Sequence, residues 1–393
     1  SFPPAFYATV LAAKALFIES LGHSGEAADL ARQMLALAVA SQDATLEAQA
    51  RNQLGSILGD GGLDTVAALQ ELNLAIELAQ ANGDLLLKAQ ALSRLARMLC
   101  VTDPVGAQAA VSEALAIFRA EGHTFGELQS LLTLTQLARG QGEFEQMLSY
   151  ATRGLYLAIQ RKDRYFEASM KDVIAGVNSE QGNYDRAIRY FKEALTIYQD
   201  LQITPAQSSI QLNLALVYWR VGDWPAARQL TEEAIAGARN LENQIKLCTV
   251  LLNYTLLLLR QGNVDAAAAA AQEALDIAQN RNLQELCGYA YTNLGHLFLA
   301  QGQYTAAATA FQQALSIRQE LDQTFLLMET RAGLAQLALA QAELETAVEH
   351  VEKILPGLNP ASVSGTEEPM RIYLACYEVL AAVGDGRAAE ILA

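Results

Sequence analysis

Cysteine and histidine are scarce in this sequence, and each shortage excludes a class of protein. The 4 cysteines lie far apart and form no C-x-x-C pair. We therefore expect small apolar side chains in a reducing, cytoplasmic compartment rather than a disulfide framework. None of the 4 histidines has a second His or Cys at the spacing of a metal site, so we expect no metal and no cofactor.

Cationic residues and long apolar runs are also in short supply. The 27 basic residues are outnumbered by 43 acidic ones, giving a net charge of −16. Such a surface repels phosphate backbones, so we expect no direct nucleic acid binding, whereas a basic or zwitterionic protein segment is compatible. The most hydrophobic stretch, residues 249–259, contains Asn253 and falls short of the roughly 18 residues that span a membrane.

Signals for export and for catalysis are missing too. The chain has no signal peptide and begins without methionine, so we expect an excised fragment or processed chain with an effector domain outside it. There is no G-x-x-x-x-G-K-[ST], G-x-G-x-x-G, H-E-x-x-H or G-x-S-x-G. The sequence therefore predicts a protein that is not an enzyme.

What the sequence does contain is a repeat of forty residues. Residues 291–320 have apolar positions at three- and four-residue steps on both sides of a turn, which predicts two helices that each bury one face. Six further glycines precede Gly302 at distances that are multiples of forty residues. Thr102 and Ala342 stand at the two positions of this series that lack glycine. Five residues after each turn stands an alanine, or Met147 once, without slippage. Nine such units predict stacked helical hairpins.

The hairpins predict one elongated domain. Pro3 and Pro4 are expected to keep a leader, residues 1–5, out of the helix that starts at Phe6. The nine hairpins occupy residues 6–355, a linker follows at 356–369, and residues 370–393 form a divergent C-terminal hairpin or cap. Within the array, Thr102 or Asp103 is expected to cap the helix that Pro104 begins. Thr204 is expected to cap the helix that Pro205 begins.

The eighth repeat resembles the signature of the tetratricopeptide repeat (TPR) family. The matching positions are Tyr291, Leu294, Gly295, Phe298, Gly302, Tyr304, Ala307, Phe311 and Ala314. The spacing is similar to that of LGN/Pins-type adaptors, kinesin light chains and the sensor domains of MalT-like bacterial signalling ATPases. The resemblance covers residues 6 to about 356. It implies an all-α, right-handed TPR superhelix (an α-solenoid) of about nine to ten antiparallel hairpins, with first helices on the concave side.

Polar residues recur on the predicted concave side. Nine residues before the turn stand Asn213, Asn253 and Asn293, the ladder asparagines. The resemblance implies that they bind the main chain of an extended peptide. Arg220 and Arg260, two residues before the turn, are expected to face the same groove and to pair with ligand carboxylates.

Flat contact area in this groove is expected from Trp219, Tyr289 and His296. Asn52 and Gln53 extend a weaker polar track. Ser93, Thr133 and Val173 interrupt the ladder, so binding is expected in the sixth to eighth repeats.

Alternatives remain open for this surface and for the chain. The asparagines are also compatible with bonds between neighbouring helices, or with a pocket for a small ligand. The leading functional interpretation is a scaffold for protein–protein interaction that binds a peptide or partner segment. The second is a sensor domain of a larger bacterial signalling protein, a MalT-like ATPase or transcription regulator. Self-association through a terminal hairpin is a third.

Overall fold

The computed structural model describes residues 4–20, 23–100, 102–240, 243–359 and 369–391. Within these ranges the chain forms twenty α-helices, one 3-10 turn at Leu355–Gly357 and no β-strand. Residues 1–3 of the predicted leader, residues 21–22 of the predicted first turn and residues 360–368 of the predicted linker lie outside the described residues. No helix in these ranges is both long and apolar enough to cross a membrane.

Helices α1–α18 form nine consecutive hairpins, each with a first and a second helix that pack antiparallel. The first helices are α1 Pro4–Ser20, α3 Ala44–Asp60, α5 Leu85–Leu99, α7 Thr124–Gly140, α9 Arg164–Glu180, α11 Thr204–Arg220, α13 Gln244–Arg260, α15 Gln284–Ala300 and α17 Thr324–Ala340. The second helices are α2 Ser24–Ala40, α4 Thr65–Ala81, α6 Pro104–Ala120, α8 Phe144–Arg161, α10 Tyr184–Asp200, α12 Trp224–Asn240, α14 Val264–Asn280, α16 Tyr304–Glu320 and α18 Leu344–Glu352. The all-α hairpin array predicted from the repeat is confirmed.

The chain divides into two compact units, Ser1–Gln202 and Ile203–Ala393. Unit 1 contains α1–α10 and unit 2 contains α11 onwards. Unit 2 ends with α19 Pro369–Ala382 and α20 Ala388–Ile391, which a turn at Gly384 joins. In this last pair Ile372, Cys376 and Val379 are fully buried in a cluster with α17 and α18.

The forty-residue period shifts by one residue in α4 and α5. Their capping residues are Asp64 and Asp84, whose carboxylates accept hydrogen bonds from backbone N–H groups three residues later. As a result the fully buried alanine of α4 is Ala68, whereas the predicted Ala67 is only half-buried. The expectation of an unbroken period is wrong here, because Leu63 stands between Gly62 and the capping Asp64 and lengthens the turn between α3 and α4 by one residue.

Two predicted helix starts are wrong by one or two residues, and one is confirmed. Helix α1 already contains Pro4, and α11 begins at Thr204 rather than Pro205. Proline is tolerated in a first helical turn because its missing N–H would have no partner there. Asp103 caps α6 as predicted, since its carboxylate accepts from the N–H of Gly106 at 2.9 Å.

In seven of the nine hairpins the described turn places one residue in the left-handed region. Gly302 has φ +71°, and Ala342 takes the equivalent place in the ninth hairpin with φ +60°. A β-carbon is strained in this conformation because it approaches the following carbonyl oxygen. Alanine in place of glycine at the ninth turn therefore lowers the free energy of unfolding.

Replacing Ala342 with glycine is expected to raise the free energy of unfolding by about 0.5–1 kcal/mol. Relief of about 1–2 kcal/mol of left-handed strain outweighs the extra chain entropy of glycine. The matched control is Ala236→Gly in exposed helix, expected to lose about 1 kcal/mol. Urea unfolding followed by circular dichroism measures both, and an Ala342→Gly protein no more stable than wild type would contradict the strain argument.

Phe311 of α16 is packed between two glycines. Its side chain is fully buried, and a β-carbon at Gly295 of α15 would lie 2.5 Å from its ring. A β-carbon at Gly333 of α17 would overlap the same ring. The ring therefore fills the space between α15 and α17. This space exists because both helices have glycine where they contact the ring.

Candidate functional site

The ladder can be followed through both units by counting from the residue that caps each first helix. The tenth residue after the cap defines the ladder position, and it is Gln53, Arg94, Thr133, Val173, Asn213, Asn253, Asn293 and Gly333 in α3 to α17. In α5 the one-residue shift replaces the predicted Ser93 by Arg94. The third repeat therefore has an arginine at the ladder position, where the ladder was expected to be interrupted by Ser93.

Three ladder side chains bind the backbone of the preceding first helix. Gln53 donates to the carbonyl of Ala12 at 2.8 Å. Arg94 donates to the carbonyl of Asn52 at 2.9 Å, and Asn293 donates to that of Leu252 at 3.2 Å. For Asn293 the alternative interpretation, a bond between neighbouring helices, is therefore correct. Binding of a peptide by this side chain stays a prediction.

The three ladder asparagines differ in access to solvent. Asn293 has no exposed surface, and its Oδ1 has no hydrogen-bond partner among the described residues. Asn213 and Asn253 are half-buried. A ligand on the first helices of unit 2 would therefore reach Asn213 and Asn253 before Asn293.

The predicted arginines of unit 2 lie at the ends of their helices. Arg220 ends α11 and Arg260 ends α13, and both are exposed, while Trp219 is half-buried. Tyr289 is half-buried under the guanidinium of Arg318, whose central carbon is 5.1 Å from the ring centre. Tyr289 is therefore occupied by a cation–π contact within the protein.

His296 is buried rather than presented to a groove. Its residue is 8% exposed, and its ring meets that of Phe311 edge-on with centres 5.0 Å apart. Burial first, and then the charges of Arg371, Arg318 and Arg260, hold the pKa of His296 well below its ordinary value. His296 is therefore neutral near pH 7, and it belongs to the core contacts of unit 2.

A fully buried ion pair lies beside these residues, and the sequence does not reveal it. Arg318 and Glu329 have side chains 1% and 3% exposed, with Nη1 3.7 Å from Oε2. Arg318 Nη1 also donates to the carbonyl of Leu326 at 2.5 Å. A cation in the last turn of a second helix is normally solvated, so only the tertiary structure identifies this pair.

Unit 1 contains two adjoining cavities on the faces of its first helices. The larger, of about 420 Å³, is lined from α3 to α9 and includes Gln90, Arg94, Arg97, Gln129, Thr133 and Gln136. The smaller, of about 330 Å³, is lined by α1, α3 and α5 and shares Gln90 and Arg94 with the first. Binding was expected in the sixth to eighth repeats, so these cavities are an additional site that sequence reasoning missed.

One wall of the larger cavity is polar. Arg97 Nη2 contacts both carboxylate oxygens of Asp60 at 2.7 Å, and Ser56 donates to Asp60 at 3.0 Å. Burial, and then the charge of Arg97, lower the pKa of Arg94, while Asp60 and Glu19 oppose this shift. Burial, with the charge of Asp60 second, raises the pKa of Glu19.

The opposite wall is aromatic. Phe166 meets Phe125 edge-on with ring centres 5.7 Å apart, and Tyr165 meets Phe166 at 5.6 Å. Phe118 stacks on His123 at 5.2 Å. His123 caps α7, because its Nδ1 accepts from the N–H of Gly126 at 3.1 Å. The cavity therefore combines flat apolar surface with amide and guanidinium groups, as ligand pockets usually do.

Comparison with known proteins finds a repeat family that resembles part of the chain. Residues 173–364 match the family model of the MalT-like TPR region, and no curated protein sequence matches the chain. The hairpins of this stretch resemble tetratricopeptide repeats.

Solved structures have the same fold at low sequence identity. The apo form of RapI has 14% identity, with a TM-score of 0.64 over 89% of this chain and 96% of that one. A STAND signal-transduction ATPase with a TPR sensor, from Pyrococcus horikoshii, has 16% identity and a TM-score of 0.60 over 88% of this chain and 51% of that one. The Rap conjugation gene regulator of plasmid pLS20, in complex with the Phr* peptide, has 14% identity and a TM-score of 0.56 over 96% and 97%.

A sequence signal for the unit 1 cavities exists in retrospect. Gln90, Arg94 and Arg97 follow one another at four and three residues in α5, so they share one face of this helix. A fixed count of forty placed Ser93 on that face and hid the pattern. Counting from the residue that caps each first helix would have found it.

Proposed function

We propose that this TPR protein is a non-enzymatic scaffold that binds an extended peptide segment of a partner protein along its first helices. The observation that carries the proposal is the pair of adjoining cavities in unit 1. Their shared wall offers the amide of Gln90 and the guanidinium of Arg94. A ligand that occupies both cavities must be elongated, which favours a peptide over a compact metabolite.

The chemistry of the walls suits a peptide main chain. Gln90 and Gln129 are half-buried, and an amide side chain offers a donor and an acceptor to each peptide group without reading the side chains. Phe125 and Tyr165 offer apolar surface to ligand side chains. The net charge of −16 disfavours a nucleic acid strand in the same place.

Unit 2 supplies a second contact surface in this proposal. Asn213 and Asn253 are half-buried at equivalent positions of α11 and α13, with Arg220 and Arg260 exposed at the ends of these helices. The Phr* peptide in the pLS20 Rap complex supports a peptide as the ligand class for a protein of this fold.

Binding of a randomised fluorescent peptide pool tests the proposal. The Gln90→Ala/Gln129→Ala protein is expected to bind the peptides that wild type selects at least tenfold more weakly, because two main-chain contacts are lost. The Asn213→Ala/Asn253→Ala/Asn293→Ala protein reports on unit 2 in the same assay. Gln108→Ala/Gln199→Ala, two glutamines outside both cavities, is the matched control and should bind as wild type does.

Melting temperatures of all variants are measured in parallel. If only the Gln90→Ala/Gln129→Ala variant loses binding, the peptide is assigned to unit 1. If only the triple asparagine variant loses binding, the peptide is assigned to unit 2. Wild type that selects no peptide from the pool would refute the scaffold proposal.

A sensor domain of a larger signalling protein is the second candidate. It is favoured by the match of residues 173–364 to the MalT-like TPR model and by the likeness to the STAND ATPase, of which this chain spans about half. The discriminating observation is the full gene. A P-loop or a helix-turn-helix segment encoded beside these repeats would favour the sensor, and its absence would favour the scaffold.

A further inference from the structure

Arg94 has the position and the chemistry of a ligand anchor. It lines both cavities of unit 1, is half-buried, and lies at the ladder position of α5. Its Nη1 donates to the carbonyl of Asn52, which holds the guanidinium between α3 and α5. The side chain is thus fixed at the junction through which an elongated ligand passes.

The guanidinium of Arg94 lacks the counter-ion that neighbouring arginines have. Among the described residues no carboxylate lies within 4.0 Å of it, whereas Arg97 contacts Asp60 at 2.7 Å and Arg119 contacts Glu127 at 3.0 Å. Asp60 and Glu19 act on Arg94 only from a distance. A guanidinium has five N–H donors, and a partly buried cation whose nearest partner is a neutral carbonyl is costly.

A second polar group in the smaller cavity is also unsatisfied. Asn52 is 3% exposed, and its Oδ1 has no hydrogen-bond partner in the part of the chain that the structure describes. Asn52 and Arg94 both line this cavity, so a side chain with an unused acceptor lies beside the cation. A peptide carboxylate complements the guanidinium, because it accepts charge-assisted hydrogen bonds from it.

We propose that Arg94 anchors a carboxylate of the bound peptide, so that unit 1 selects zwitterionic peptides with an acidic group flanked by basic residues. The carboxylate supplies the missing counter-ion of Arg94 through charge-assisted hydrogen bonds. The basic residues are attracted by the net charge of −16, and by Glu19 and Asp60 beside the cavities. This inference names the ligand class for the peptide-binding function proposed above and rests on that function.

The test compares four peptide pools that are randomised at the same positions. One contains all residues, and a second has Asn and Gln in place of Asp and Glu. The third and fourth repeat these two with an amidated C-terminus, which separates a side-chain carboxylate from a terminal one. Wild type is expected to bind the pools that retain the carboxylate recognised by Arg94 about ten- to a hundredfold more tightly than the pools that lack it.

Arg94→Met keeps the length of the side chain and removes its charge. It is expected to abolish the preference for a carboxylate while it retains residual binding and the melting temperature of wild type. Arg119→Met is the matched control, because it changes the net charge equally from an exposed site outside the cavities. Its preference should equal that of wild type.

The outcomes separate the inference from the function beneath it. If wild type binds all four pools equally, or if Arg94→Met keeps the preference, the carboxylate anchor is refuted and the peptide scaffold stands. If no pool binds, both are refuted. If Arg94→Lys restores the preference in part, the anchor is supported, since a single ammonium replaces a two-pronged donor.

Discussion

Replacement of Phe311 by alanine is expected to lower the free energy of unfolding by about 3–5 kcal/mol. The ring is fully buried between α15, α16 and α17, and it packs on Gly295 and Gly333, which have no side chains to move into the space. The cavity that the missing ring leaves therefore collapses little. The expected loss in free energy of unfolding is accordingly at the upper end of the range for truncation of a buried aromatic residue.

Urea unfolding of Phe311→Ala measures this loss, with Phe325→Ala as the control. Phe325 is 52% exposed, so its truncation is expected to cost about 1 kcal/mol or less. A loss below about 1.5 kcal/mol at Phe311 would contradict the packing argument.

A third variant examines the same contact from the opposite side. Gly295→Ala adds a β-carbon against the ring and is expected to cost about 1–3 kcal/mol. In the Phe311→Ala background that cost should fall close to zero, because the overlapping ring is gone. Equal costs in both backgrounds would show that Phe311 and Gly295 are not coupled.

Replacement of Glu329 by alanine is the second change with a large expected effect. It removes the carboxylate that lies 3.7 Å from the buried Arg318 guanidinium, and breaking a buried pair costs about 3–5 kcal/mol. The double variant Arg318→Met/Glu329→Leu should recover most of this loss, since apolar residues of similar volume replace the two charges.

The exposed pair of Arg239 and Glu273 is the matched control for this prediction. Its side chains are 54% and 40% exposed, with a distance of 2.7 Å. Glu273→Ala is expected to change the free energy of unfolding by less than about 1 kcal/mol, because solvent screens this pair. Similar losses for Glu329→Ala and Glu273→Ala in urea unfolding would contradict the role of burial.

The helical array could be predicted from the sequence because its signals are local. Left-handed turns favour glycine, and Gly302 has the positive φ that its place in the repeat implied. Helix crossings need small residues, and Ala307 is fully buried where the period placed it. The fold class thus follows from residues a few positions apart.

The candidate site was less predictable because it depends on exact register and on neighbouring helices. One additional residue between Gly61 and Asp64 moved Arg94 onto the ladder in place of Ser93. The direction of the Asn293 amide, which donates to Leu252, depends on a helix forty residues away. Periodicity locates a side chain on a face, but it does not decide whether a ligand or the protein's own backbone takes the hydrogen bond.

The three ladder hydrogen bonds have a consequence for how such a chain evolves. Gln53, Arg94 and Asn293 each donate to a main-chain carbonyl, and the acceptors belong to an alanine, an asparagine and a leucine. A carbonyl is present in every repeat whatever its sequence. A duplicated or transplanted hairpin therefore receives this bond from its new neighbour without any matching substitution, and the array can lengthen by copying.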